Sequence, residues 1–338
     1  MKAVVLSKTG KPTVLKIKEV PLPEPKKDEV RVKVERIGIN YAEILSRKGL
    51  YGWTPKKPYI PGMEAYGQID AAGKSVAAER VGQKVVIGTQ YGCYGEYVVV
   101  KAQKALPAIS QFGPEENAAF VVNYMTAWVS LFEMARLRPT DSVLINIAAG
   151  GVGSAAVQLA KKFGCTVFGT VGSDEKIKLV KSLNIDEAIN YRKIDFASEI
   201  NRITNNAGVD AVLEVVGGDV YKNSIKLLKP FGRLVVAGFA SLDYKIWNPI
   251  SLWKTWRDIP RANILNMSEY SYGVSSSHLG YLLKYPELMS NVWKDLVSFV
   301  EKHQIKPIVG KVFNFDDIVK AHEFMESRKS VGKIVLKI

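Results

Sequence analysis

Ala148-Ala149-Gly150-Gly151-Val152-Gly153 decides how this chain is read. The run follows an apolar stretch, Ser142-Val-Leu-Ile-Asn-Ile147, and opens into Ser154-Ala-Ala-Val-Gln-Leu-Ala-Lys-Lys-Phe163. A buried strand, a tight glycine turn and an amphipathic helix in that order form a cradle for a pyrophosphate. Glycines let the backbone approach the phosphates, and the helix N-terminus presents N–H groups and a partial positive charge. Ala148 stands where the usual fingerprint has its first glycine, so the strand and helix around the turn carry the assignment.

Outward from this turn, strands and helices alternate. Candidate strands lie at 142–147, 166–170, 188–190, 209–216 and 232–238, with helical patterns between them. That alternation predicts a doubly wound α/β domain with a parallel sheet. The first third reads as β-rich instead: Glu29-Val-Arg-Val-Lys-Val-Glu35 alternates as a half-buried strand, and Pro21, Pro23, Pro25, Pro58 and Pro61-Gly62 mark loops. Helical spacing runs from Glu115 to Ala135. Beyond about 265 the pattern loosens, with helices expected near 286–302 and 315–327 and a last strand at 333–337 returning to the first domain. The expected division is 1–122, 123–265 and 266–338.

The 338 residues, 47% apolar and 24% charged, suit a two-domain globular protein. No apolar run approaches the roughly 18 residues that span a bilayer, and two cysteines make no disulfide framework. A cytoplasmic location is the expectation. The net charge of +14 favours anionic partners; the lysines are spread along the chain, and no motif supports nucleic-acid binding.

In dinucleotide folds an acidic residue after the second strand holds the ribose 2′-hydroxyl of NAD. Here Thr166–Thr170 runs into Val171-Gly172-Ser173-Asp174-Glu175-Lys176, a small neutral turn with a cation behind it. Asp174 and Glu175 sit where the next helix starts. Tyr191-Arg192 adds an aromatic face and a second cation. The pattern favours a 2′-phosphate, and so NADPH over NADH.

Gly38-Ile-Asn-Tyr-Ala42, Gly49-Leu-Tyr51, Pro61-Gly-Met-Glu64, Val122-Asn-Tyr-Met-Thr126, the glycine turn and Ser330-Val-Gly-Lys-Ile-Val335 fall in this order along the chain. Together they resemble the medium-chain dehydrogenase/reductase superfamily, and within it the zinc-independent quinone oxidoreductases (zeta-crystallin-like), near the synaptic vesicle membrane protein homologues. Glu43 stands where relatives often have aspartate. The resemblance implies a Rossmann domain inserted in a GroES-like catalytic domain, an NADPH site in the cleft and a homodimer. It implies cofactor contacts from Asn40, Thr126, Gly172, Ser173, Lys176 and Tyr191, beside the glycine turn. Gly238-Phe239-Ala240 would approach the nicotinamide ribose, and Ser277-His278-Leu279 would pass near the nicotinamide.

Zinc-dependent members of that superfamily hold the metal with cysteine and histidine. Asn40, Met63 and the region Val122-Asn123 stand at those positions here, so no metal is expected. His303 and His322 read as polar helix residues. Without a metal, the acceptor must already be electrophilic, which favours a quinone or an α,β-unsaturated carbonyl. Asn40, Tyr41 and Tyr51 are the candidate catalytic residues lining the substrate slot.

Trp247, Trp253 and Trp256 lie beside Lys245, Lys254 and Arg257. This stretch reads first as a lid or dimer contact, because Pro249 breaks a continuous amphipathic helix, and second as a contact with an acidic membrane surface. The rival to an enzyme is an NADPH-binding protein of low turnover that associates with acidic membranes or RNA.

Overall fold

In the computed structural model, which describes residues 1–240 and 259–338, the chain divides into two units. One joins Met1–Asn123 to Gly280–Ile338, and the other is Tyr124–Leu279. The tryptophan stretch, with Trp247, Trp253 and Trp256, lies outside the described residues.

The first unit contributes β1 (Lys2–Leu6), β2 (Leu15–Glu19), β3 (Glu29–Ile39), β4 (Glu64–Ala72), β5 (Lys84–Gly88), β6 (Tyr97–Lys101) and β7 (Ala105–Pro107). The predicted alternation holds at the start of β3, where Val30, Val32 and Val34 are buried. It then changes phase, and Ile37 and Ile39 point inward. The cause is a register shift against β4 between Val34 and Arg36, which inserts one residue and swaps the two faces of the strand.

The second unit holds β8 (Ser142–Ile145), β9 (Thr166–Val171), β10 (Glu187–Asn190), β11 (Val209–Glu214), β12 (Leu228–Val236) and β13 (Gly273–Ser276). Their order is β10-β9-β8-β11-β12-β13, and every pairing is parallel. Helices Gly151–Phe163, Asp174–Ser182, Phe196–Ile203 and Gly218–Ile225 connect the first five strands. Chain order reverses on either side of β8, the switch point at which such sheets bind ligands. The five expected strands are present within a few residues of their predicted ends. β13 was not anticipated, because Gly-Val-Ser-Ser is too short and polar to signal a strand. The expected boundary at 266 therefore falls inside this unit.

The chain then returns to the first unit with β14 (Val309–Asn314) and β15 (Lys333–Lys337). β15 runs antiparallel to β3, Ile334 facing Ile39, and parallel to β14. It is an interior strand of the order β14-β15-β3-β4-β5-β7. Ile334, Val335 and Leu336 are fully buried, each contributing about 1.5–3 kcal/mol of hydrophobic burial.

Candidate cofactor and substrate site

In the second unit the glycine turn leaves the C-terminal end of β8. Gly150 is the extended N-cap of helix Gly151–Phe163, whose first N–H groups (Gly151, Val152, Gly153) have no intrahelical acceptors. Gly153 is required sterically: a Cβ there would lie 2.1 Å from the Ile147 carbonyl oxygen. Ile147 itself adopts a left-handed φ of 55°, and its N–H donates to Thr170 Oγ1 at 3.2 Å. Ala148 is accommodated across the sheet. A Cβ on Gly169 would lie 2.7 Å from the Ala148 methyl, so the side chain lost from β9 makes room for the one gained in the turn.

The next turn carries the cofactor preference. Ser173 caps helix Asp174–Ser182, its Oγ accepting from the Lys176 N–H at 3.4 Å. A Cβ on Gly172 would meet the Tyr191 hydroxyl at 2.9 Å. Asp174 is engaged elsewhere: it accepts from Asn190 Nδ2 at 2.8 Å and pairs with Lys193 at 2.5 Å, and these contacts hold its carboxyl below the usual range. Burial lowers the Lys176 pKa, and the positive charge of Arg192 lowers it further. Two cations thus stand near the Ser173 cap. Buried Asn190, which sequence reasoning missed, organises this corner, since its Oδ1 also accepts from the Arg192 N–H at 3.1 Å.

The remaining expected residues of this unit lie on helix Val121–Trp128 and just past the ends of β12 and β13. Thr126 lies on helix Val121–Trp128 and its carbonyl accepts from Ser130 Oγ at 2.7 Å. Ser130 Oγ is in turn 2.9 Å from Ser277 Oγ. Gly238-Phe239-Ala240 follows β12, with the Ala240 N–H donating to Val215 O at 3.0 Å. His278, half-buried, has its pKa lowered by burial.

In the first unit Asn40 ends β3 and begins helix Tyr41–Lys48. Glu43, fully buried, accepts from the Asn40 N–H at 2.8 Å, the Met63 N–H at 2.7 Å and the Tyr94 hydroxyl at 2.5 Å. Burial pushes its carboxyl pKa up, and these hydrogen bonds oppose the rise. The Lys333 ammonium, 2% exposed, pairs with Glu64 and donates to Asn40 Oδ1 at 2.6 Å and Asn123 Oδ1 at 3.4 Å. Glu64 also accepts from the Val122 N–H at 3.0 Å. Tyr41 is half-buried, and Tyr51 has its phenol pKa raised by burial and by the charge of Glu43. Trp53 and Tyr281 lie 6.2 Å apart as tilted rings.

Sequence reasoning did not assign Glu64, Tyr94, Lys333 or His322 a role in this network. His322, expected as a polar helix residue, is 1% exposed, with Nε2 3.2 Å from the Tyr94 hydroxyl. The helix turns it inward, where a phenol satisfies one ring nitrogen.

Asn40, Met63 and Asn123 do not make a zinc site. An amide, a thioether and a second amide, with an ammonium bonded to both amides, lack the thiolate and imidazole donors zinc takes. Among the described residues no group of three or more His, Cys, Asp or Glu is placed to hold a metal ion.

Two family models match: an alcohol dehydrogenase GroES-like domain over residues 26–110 and a zinc-binding dehydrogenase over 151–271. The chain is 35% identical over 316 residues to the synaptic vesicle membrane protein VAT-1 homolog of Danio rerio, covering 93% of this chain and 65% of that protein. It is 34% identical to the Homo sapiens VAT-1 homolog over 340 residues, covering 99% of this chain and 86% of that one. The solved structure of Escherichia coli quinone oxidoreductase complexed with NADPH superposes with a TM-score of 0.88 at 27% identity, covering the whole of both chains. By these likenesses, the chain belongs to the medium-chain dehydrogenase/reductase superfamily, in the branch of the VAT-1 homologues.

Proposed function

We propose that the protein is an NADPH-dependent reductase that delivers a hydride to a quinone or an α,β-unsaturated carbonyl compound without a metal. The observation that carries this reading is the pair Lys176 and Arg192 near the Ser173 cap, with Asp174 held away by Lys193 and Asn190. Two cations and a hydroxyl there suit a 2′-phosphate.

Gly150, Gly151, Val152 and Gly153 bind the pyrophosphate through backbone N–H groups at the helix N-terminus. Ser173, Lys176 and Tyr191, with Gly172 giving room, hold the 2′-phosphate end. Thr126, Gly238, Phe239 and Ala240 of the second unit are proposed for the nicotinamide end, and Asn40 of the first unit is a separate candidate for the cofactor. NADPH, when bound, supplies the hydride. Tyr51, kept protonated by burial and by Glu43, donates a hydrogen bond to the acceptor oxygen as negative charge builds there. Tyr41 lines the same slot. The donor set at Asn40, Met63 and Asn123 supports a metal-free reaction, and the E. coli relative supports a quinone acceptor. A homodimer is part of the proposal.

A second reading, an NADPH-binding protein of low turnover at an acidic membrane surface, draws on the +14 charge. Among the described residues no helix is long and apolar enough to cross a membrane. The deciding experiment follows loss of the reduced nicotinamide absorbance with quinones and enones, with NADH in parallel and EDTA added. Turnover that prefers NADPH and ignores EDTA is expected. Tight NADPH binding with no turnover on any acceptor, together with binding to anionic vesicles, would establish the second reading instead.

A further inference from the structure

We propose that Thr170 is a positioning residue: its hydroxyl, aligned by Asn146 and Glu214 behind it, sets the turn at Ile147 for the cofactor pyrophosphate before the cofactor arrives. The inference deepens the proposed function and rests on its placing of the pyrophosphate at the glycine turn. Every residue concerned belongs to the second unit.

Ile147 stands where β8 has ended and the glycine turn begins. Its φ of 55° is left-handed, a conformation that a β-branched residue keeps only where its surroundings impose it. The Ile147 carbonyl accepts from the Gly150 N–H at 2.9 Å. That oxygen is thereby engaged inside the turn, and the N–H groups of Gly151, Val152 and Gly153 remain for an anion. Two contacts from the end of β9 hold the conformation, and both go to Thr170. The Ile147 N–H donates to its Oγ1 at 3.2 Å, and the Ala148 N–H donates to its carbonyl at 2.9 Å.

The Thr170 hydroxyl can accept from Ile147 because its own proton is committed elsewhere. It donates to Asn146 Oδ1 at 3.0 Å. Asn146 presents that oxygen, and not its NH2, because Nδ2 faces two oxygens on the other side, Glu214 Oε2 at 2.9 Å and Ser224 Oγ at 3.1 Å. Glu214 is fixed in turn by the Val216 and Gly217 N–H groups, which both donate to its Oε1. A carboxylate at the end of β11 thus dictates the sense of each hydrogen bond across β8 to β9 and back to the Ile147 N–H. Asn146, Glu214 and Ser224 are fully buried and Thr170 is 3% exposed, so water does not compete for these groups. The three strands are neighbours in the order β9-β8-β11, which puts the whole relay under the switch point.

Thr170→Val keeps the side-chain shape and removes the hydroxyl, whereas Thr170→Ser keeps the hydroxyl. In fluorescence titrations the valine variant is expected to bind NADPH about tenfold more weakly, and the serine variant within about twofold of the unmodified protein. 2′-AMP, which has the 2′-phosphate and no pyrophosphate, should bind all three alike, a result that general damage to the unit would not give. A folded Thr170→Val that keeps its NADPH affinity, or loses as much for 2′-AMP, overturns the inference. Equal losses in the valine and serine variants overturn it too. Gly153→Ala, measured alongside, separates the inference from the reading beneath it. Weaker NADPH binding in Gly153→Ala without a loss in Thr170→Val refutes the role of Thr170 alone. No loss in either variant refutes the placing of the pyrophosphate, and the inference with it. Should Thr170→Val not fold, hydrogen exchange at the Ile147 amide of the unmodified protein decides. That amide is expected to be protected without NADPH, as a turn set in advance requires. Exchange at the open-chain rate until NADPH is added would mean that the cofactor builds the turn, which refutes the inference.

Discussion

His322 Nε2 lies 3.2 Å from the hydroxyl oxygen of Tyr94. Because that hydroxyl donates to Glu43, its oxygen accepts from His322, which places the imidazole proton on Nε2. Nδ1 is buried without a hydrogen-bond partner, and a proton added there would meet the positive charge of Arg47. Burial and Arg47 together lower the His322 pKa from 6.5 to about 3. The stabilising effect of a neutral imidazole is complete above pH 6.5 and is lost as pH falls toward 3. His322→Gln should flatten that acid limb in melting temperatures measured from pH 7 to pH 4, at a cost of about 1 kcal/mol near neutrality.

Glu214 works in the opposite direction. It accepts from the Gly217 N–H at 2.8 Å and Asn146 Nδ2 at 2.9 Å, yet burial raises its pKa from 4.5 to about 7. The folded state then holds a proton that the unfolded chain has released, so this group costs stability as pH rises from 4.5 through 7. Glu214→Gln should stay level over that window where the unmodified protein declines, as read by denaturant midpoints.

Lys176→Ala should weaken NADPH binding about tenfold or more while leaving NADH nearly unchanged, since a charge-assisted contact contributes about 1.5–3 kcal/mol. Because burial and Arg192 lower the Lys176 pKa, NADPH affinity should also fall at a lower alkaline pH than an ordinary lysine would give. Fluorescence titrations with both cofactors across pH would show this; equal losses for NADH would remove the 2′-phosphate assignment.

Gly153→Ala drives a methyl against the Ile147 carbonyl oxygen at 2.1 Å. It should destabilise the second unit by about 1–3 kcal/mol and sharply reduce cofactor binding. Ala148→Gly should do neither to that extent, because it only empties the space beside Gly169. Calorimetry with and without NADPH separates the two.

Tyr51→Phe removes the proposed donor without changing the ring. A fall in kcat of about tenfold to a hundredfold is expected, with NADPH affinity retained. Burial and Glu43 raise the phenol pKa, so the unmodified rate should show no alkaline loss from Tyr51 below its ordinary 10.0. Stopped-flow oxidation of bound NADPH against pH checks both statements.

The parallel sheet was legible because its strands are buried on both faces: Val143, Leu144 and Ile145 are all fully buried, and an apolar run followed by a glycine turn has few other meanings. β13 was not, since pairing with β12 and not composition makes it a strand. The phase change in β3 was equally hidden, because it depends on a shift against β4. For the site, local motifs located the turn residues and Asn40. The buried group of Lys333, Glu64, Asn40 and Asn123 was beyond reach, since Lys333 and Asn40 are 293 positions apart and only the β15–β3 pairing brings them together. Asp174 shows the reverse: an acidic residue beside the ribose corner, whose meaning depends on whether Asn190 and Lys193 hold it.

β15 lies between β14 and β3 in the first unit's sheet, yet the ribosome makes it only after the entire second unit. During synthesis the parallel sheet has all its strands before β15 is made. The N-terminal segment, although translated first, has β3 already paired with β4 and β6 and waits for β15 only along Arg36–Ile39. The last strand of the first unit's sheet is thus among the last parts of the chain to be made, and until then the Arg36–Ile39 edge of β3 has no strand partner.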